Sequence, residues 1–168
     1  MMAELPEYVL NHVFVAPLNL VWKCWTDPKL LHRWYGPNVE TTIHQFDLQV
    51  GGVWLNEMKW GGNSDFSKMS FVEVVPLQKI VWHHSSTNAD WNVIPSPMMP
   101  DWPITLLTTV DFSEKNGSTH VRLSQVPINP TAVEIACFAK VMSRMDKGWG
   151  SGYKIMETML AELQGAKS

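Results

Sequence analysis

The chain has 168 residues, 45% of them apolar and 17% charged, and carries a formal net charge of −3. This length suits one domain that buries roughly 70% of its unfolded-chain surface, and the composition excludes a disordered polymer. Scattered lysines on an acidic balance leave no basic stripe for nucleic acid, and no apolar run approaches the ~20 residues that span a bilayer.

Glu4 and Glu7 stand where a secretory signal would place positive charge, so a soluble, cytoplasmic protein is expected. Residues 9–15 read as a first strand, with Val9, Val13 and Val15 on one face. Two short helices follow near 17–25 and 28–35. Pro17 suits a first helical turn, where its missing N–H costs nothing. Asp27 caps the second helix, with Pro28 at its first position and Gly36-Pro37 as its stop. Strands are predicted at about 39–48, 53–60, 66–75, 79–86, 104–113 and 118–126. Turn chemistry separates several of them: Gly51-Gly52, expected to supply positive backbone angles, Gly61-Gly62-Asn63, Pro76-Leu77-Gln78 and Asn116-Gly117. Thr131 and Glu134 form a capping box for a helix near 132–145. Gly148 and Gly150 are expected to interrupt or bend it before a last helix that runs to about Leu163.

In that last helix Trp149, Tyr153, Met156, Leu160 and Leu163 form one apolar stripe at helical period. The stripe needs a large partner, and an antiparallel sheet curved around it is the one the chain offers. Successive turns of a meander fall at alternate ends, so the loops at 49–52, 75–78 and 114–117 share one end and those at 61–65, 87–103 and 127–131 the other.

Several of these segments together resemble a known family. They are the Ala16-Pro17…Trp22…Trp25-Thr26-Asp27-Pro28 start, the Trp34…Gly36-Pro37 helix end, the Phe46-Asp47…Gly51-Gly52 turn and the Gly148-Trp149 step. In this order and spacing they resemble the AHSA1-type (Hsp90 ATPase activator homologue) branch of the START-like, Bet v 1-like domains. The resemblance covers nearly the whole chain. It implies an α+β helix-grip fold over residues 1–168: a curved seven-stranded antiparallel sheet wrapped around a long C-terminal helix, with two short helices after the first strand.

Nine tryptophans and ten methionines are many for this size, and fit either a bulky core or a lined cavity. Alternation puts Trp54, Asn56, Met58 and Trp60 on one face, Met69 and Phe71 on another strand, and Ile80, Trp82 and His84 on a third. With Trp149, Tyr153 and Met156 opposite, these residues give an apolar pocket with few polar groups, the composition of small-molecule sites. The segment 87–103 contains four prolines with Trp91, Met98, Met99 and Trp102. It is too broken for a regular element and too apolar for disorder. It either covers a sheet edge or a second subunit, or forms a lid that brings Trp102 to the pocket mouth.

His83 and His84 point to opposite faces of a strand and cannot chelate one ion, and no spacing suits zinc, so no metal or cofactor is expected. Asp47 and Glu57 read as solvated carboxylates, and Arg33 as stacking or capping near a helix end. Cys24 and Cys137 read as reduced core thiols. No nucleophile motif or phosphate loop appears. The leading expectation is therefore binding of a small hydrophobic or aromatic molecule, with no catalytic chemistry assigned. Two alternatives stay open: a protein-interaction module, and an enzyme of the wider superfamily using His84 or Tyr153. Hsp90 co-chaperones join such a domain to a separate amino-terminal domain. Met1 to Tyr8 is too short to be one, which counts against direct Hsp90 stimulation. A homodimer through the proline-rich loop also stays open.

Overall fold

The computed structural model describes residues 5–165; Glu4, read above against a secretory signal, lies outside them. The elements run β1 (Tyr8–Phe14), α1 (Leu18–Thr26), α2 (Pro28–Trp34), β2 (Glu40–Phe46), β3 (Val53–Trp60), β4 (Asn63–Val75), β5 (Lys79–Thr87), β6 (Thr105–Lys115), β7 (Ser118–Pro127) and α3 (Ala132–Gly165). The strands form one seven-stranded sheet in the order β1-β7-β6-β5-β4-β3-β2, every pairing antiparallel. β2 to β7 are a simple meander, and β1 returns to pair with β7.

Local chemistry accounts for the element ends. Asp27 accepts a hydrogen bond from the Lys29 N–H at 3.0 Å, capping α2 with Pro28 in its first turn. Pro17 gives α1 no side-chain cap; Glu114 of β6 supplies a carboxylate instead, accepting from the Leu18 N–H at 2.6 Å. Thr131 and Glu134 make the reciprocal capping box at the start of α3. Asn116 and Gly117 both have positive φ (55° and 79°), the signature of a type I′ hairpin turn. The Gly51-Gly52 expectation is half corrected. Only Gly51 has a positive φ, 87°, whereas at Gly52 an added Cβ would run into the Asp47 carbonyl.

The C-terminal region differs from expectation. α3 is one continuous helix of 34 residues, about 50 Å long, not two segments divided at Gly148 and Gly150. Each glycine costs the helix only about 1 kcal/mol, which tertiary burial on either side outweighs. The expected stripe is present: Tyr153, Met156 and Leu160 are buried, and Trp149 and Leu163 pack on the core. Met159 joins it.

Two bulges bend the sheet, at His44 in β2 and Val72 in β4. Neither reverses the faces on which the sequence pattern placed Trp54, Met69, Phe71 and Trp82. All four are buried beneath the helices.

At Gly152 α3 approaches α2 closely, because a Cβ there would sit 2.8 Å from the Trp34 carbonyl oxygen. Nothing lies within 4 Å of a Cβ at Gly148 or Gly150. Gly150→Ala should therefore stabilise the fold by up to about 1 kcal/mol, and Gly152→Ala should destabilise it by about 1–3 kcal/mol. Urea unfolding of both variants checks the opposite signs.

Candidate functional site: a cavity between the sheet and the long helix

The space between sheet and α3 is divided. Its half beside α1 and α2 is filled by aromatic rings. Trp25 touches Trp34 at 4.7 Å between centroids, Phe112 at 6.0 Å, and Trp149 and Tyr153 each at 6.2 Å. The other half is open, a cavity of about 380 Å³. Its floor and sheet wall include Met58, His84, Leu106 and Gln125. α3 supplies Val141, Met145, Gly148, Trp149 and Gly152, while Trp34 to Pro37 close the α2 side. Met99 and Trp102 of the long loop complete the wall, the Trp102 ring tilted against buried Phe138 at 5.2 Å between centroids.

Of the residues singled out from sequence, Met58, His84, Trp102 and Trp149 line this cavity. Trp54, Met69, Phe71, Trp82, Tyr153 and Met156 are fully buried and form packed core rather than lining. Trp60 ends β3 opposite Asn63 and is not among the lining residues. Sequence reasoning missed Gln125, Leu106, Val141 and Met145. The last two lie on the earlier turns of α3, outside the stripe traced from Trp149. Gln125 was hidden as a polar residue that follows buried Val121 and Leu123 on the inward face of its strand.

The polar groups are few. Trp82 Nε1–H points at His84 Nδ1, 3.5 Å away. Gln125 donates through Nε2 to the buried Thr108 hydroxyl at 3.1 Å. Burial penalises imidazolium and pulls the His84 pKa from 6.5 down to about 4, so the ring is neutral at pH 7. Burial likewise pushes the Tyr35 phenol far above its usual value, with Asp65 nearby adding to the effect. Burial raises the Tyr153 phenol as well, and its hydroxyl has no hydrogen-bond partner among the described residues.

The loop is held from both sides of the sheet. Residues 88–92 turn back so that Thr87 bridges Val93 and the Ile94 N–H donates to Ser86. On the outer face Trp91 meets Phe66 edge-on at 5.4 Å and His44 at 5.3 Å. His44 in turn lies 2.8 Å from Glu57. Glu57 is thus a correction: it is only 7% exposed, and hydrogen bonds from Ser64 and then from His44 hold its pKa below the usual value. Arg33 pairs with Glu162 at 3.2 Å. Cys24 is a core thiol, pushed up to about 11 by burial, but Cys137 is partly exposed, its sulfur 3.8 Å from that of Met99. Among the described residues no group of three or more His, Cys, Asp or Glu could hold a metal ion, and no helix is long and apolar enough to cross a membrane.

A curved antiparallel sheet gripping one long helix, with a pocket between them, defines a helix-grip domain of the START-like class. The family model for Activator of Hsp90 ATPase homolog 1-like protein matches residues 15–161, and the chain belongs to that family. Solved structures agree in fold. A crystal structure of a Mycobacterium smegmatis protein superposes with a TM-score of 0.76 at 19% identity, covering 92% of this chain and 90% of that one. An Arthrobacter aurescens protein solved by NMR gives 0.77 at 17% identity, covering 93% and 86%. A Nitrosomonas europaea protein gives 0.71 at 21% identity, covering 98% and 99%. No curated protein matches the chain at a significant level.

The depressed His84 pKa has a measurable consequence. The unfolded chain takes up this proton near pH 6.5 and the folded chain only near 4. The stability from a neutral His84 is therefore full above 6.5 and is lost as pH falls toward 4. Glu57, whose folded pKa is lowered, contributes stability above 4.5 and loses it as pH falls further, in wild type and variant alike. His84→Gln should remove up to about 3 kcal/mol of the acid-side slope. Urea melts at about pH 7 and about pH 4.5 measure the difference, and equal slopes would contradict the buried ring.

Proposed function

We propose that the protein binds a small apolar or aromatic molecule in the cavity between the sheet and α3. The observation that carries this reading is an open, mostly apolar space of about 380 Å³ beside a region where similar side chains pack solidly. A protein that needed only a core would collapse such a space, since each missing methylene forfeits contacts. The volume lies within the usual range of ligand sites, and aromatic walls with a small number of polar groups match their usual lining.

The alternative enzymatic reading draws less support. Tyr153 is buried outside the lining and its phenol is shifted away from ionisation. His84 does line the cavity, but a base with a pKa of about 4 has little proton affinity at neutral pH. A hydrogen-bonding role suits it better.

Native mass spectrometry of freshly purified protein should show an added small-molecule mass that disappears on denaturation. Titration with 2-acetylnaphthalene should quench the tryptophan fluorescence saturably. Val141→Trp, which places an indole into the cavity, should weaken that binding at least about tenfold while leaving the circular dichroism spectrum unchanged. Undiminished binding by a folded Val141→Trp protein would move the ligand out of this cavity. No added mass together with no quenching would remove the proposal.

A further inference from the structure

The lining contains no Asp, Glu, Lys or Arg, and its two hydrogen-bonding side chains on the sheet present opposite polarity. On β5, the Trp82 indole N–H faces His84 Nδ1, so that nitrogen cannot carry the proton of the neutral ring. The proton then sits on Nε2, which no acceptor among the described residues engages, and His84 offers the cavity a donor. On β7, Gln125 gives one of its two amide N–H groups to Thr108, which fixes the amide's orientation. Among the described residues no donor reaches its carbonyl oxygen, which offers the cavity an acceptor. The strand pairing puts Leu106 of β6 between them, opposite His84, while Gln125 pairs with Thr108. The two groups are thus two strand spacings apart and offset by two residues along the strands, roughly 12 Å between their backbones, with Leu106 and Thr108 of β6 between them.

We infer that the ligand is an uncharged aromatic molecule of two or three rings, with a carbonyl-type acceptor at one end meeting His84 Nε2–H and a hydroxyl or N–H donor at the other meeting the Gln125 carbonyl. This rests on the cavity being the binding site. Charge is excluded by the same lining: an anion or cation would enter without a counter-ion and lose its hydration. Asp65 is close enough to the lining residue Tyr35 to disfavour its ionisation, and so disfavours an anionic ligand as well. His84 and Gln125 are specificity-determining residues: a ligand lacking either matching group leaves a partly desolvated donor or acceptor unpaired, the situation in which sites discriminate most strongly.

Three probes on one scaffold test this by tryptophan quenching at about pH 6.5. 2-Acetylnaphthalene has the acceptor only, 6-hydroxy-2-acetylnaphthalene has acceptor and donor, and 6-hydroxy-2-naphthoate is charged. On the wild-type protein the hydroxyketone should bind about tenfold more tightly than the ketone, and the carboxylate at least about tenfold more weakly than the hydroxyketone. Gln125→Leu should erase the gain from the hydroxyl and leave 2-acetylnaphthalene within about twofold; His84→Phe should weaken both ketones about tenfold. If the ketone binds but the hydroxyl brings no gain, or the carboxylate binds as well as the hydroxyketone, the polarity assignment is wrong and the cavity still binds. If none of the three binds, this inference falls, and if native mass spectrometry also shows no added mass the cavity reading falls with it. The wild-type comparison decides the matter even where a variant fails to fold.

Discussion

The close approach of α3 to α2 at Gly152 sets the rest of the molecule. A single backbone-to-backbone contact, with no room for a Cβ against the Trp34 carbonyl, pins a helix about 50 Å long near its middle. C-terminal to that point Tyr153, Met156, Met159 and Leu160 sink into the core. N-terminal to it only Phe138 is fully buried, and Val141, Met145 and Gly148 look across an open space. The helix thus acts as a beam supported at one end by aromatic packing and at the other by Phe138 under Trp102. The cavity is the span between the supports.

Trp25 is the second support of that division. Its ring meets those of Trp34, Trp82, Phe112, Trp149 and Tyr153, so α1, α2, α3 and the sheet are keyed to one indole. Its Nε1 and the Tyr153 hydroxyl are nonetheless buried without partners among the described residues. Each such group costs about 1–3 kcal/mol. That the fold tolerates both shows how strongly aromatic burial dominates this half. Trp149 stands at the boundary, stacked on Trp25 on one side and facing the cavity on the other.

What the sequence made legible follows from how local each cause is. Asp27-Pro28, Asn116-Gly117 and Thr131…Glu134 act through bonds within a few residues, and the structure contains each as read. Strand alternation placed Trp54, Trp82 and His84 on the inner face because neither bulge falls between them and their partners. The cavity boundary was less legible. Whether Trp54 or Met58 touches the open space depends on where α3 stands off the sheet, and that is set by Gly152 against Trp34, a contact between residues far apart in the chain. Glu57 was misread for a related reason: its partner His44 sits on a bulge, and the covering Trp91 arrives from a loop more than thirty residues on. The proline-rich segment gave away its apolar character but not its path. Trp91 lies on the outer face of the sheet and Trp102 on the cavity side, so the segment passes over the sheet end between them.

That path bears on how the cavity is closed. Met99 and Trp102 form a wall whose anchor, Trp91, rests on a different surface against Phe66 and His44, with His44 tied to a buried carboxylate. Moving the wall away from α3 means breaking the Trp102–Phe138 contact, whereas the Trp91 contacts need not change. A hinge between these two points would open the cavity while leaving the sheet ladder intact, because among the described residues the bridge at Val93 and the bond from Ile94 are the backbone links of this segment to β5. The four prolines at 95, 97, 100 and 103 fix φ through the same stretch and withdraw backbone donors from it. The wall is therefore stiff in itself, joined to β5 at Val93 and Ile94 and packed against α3 through Trp102 on Phe138.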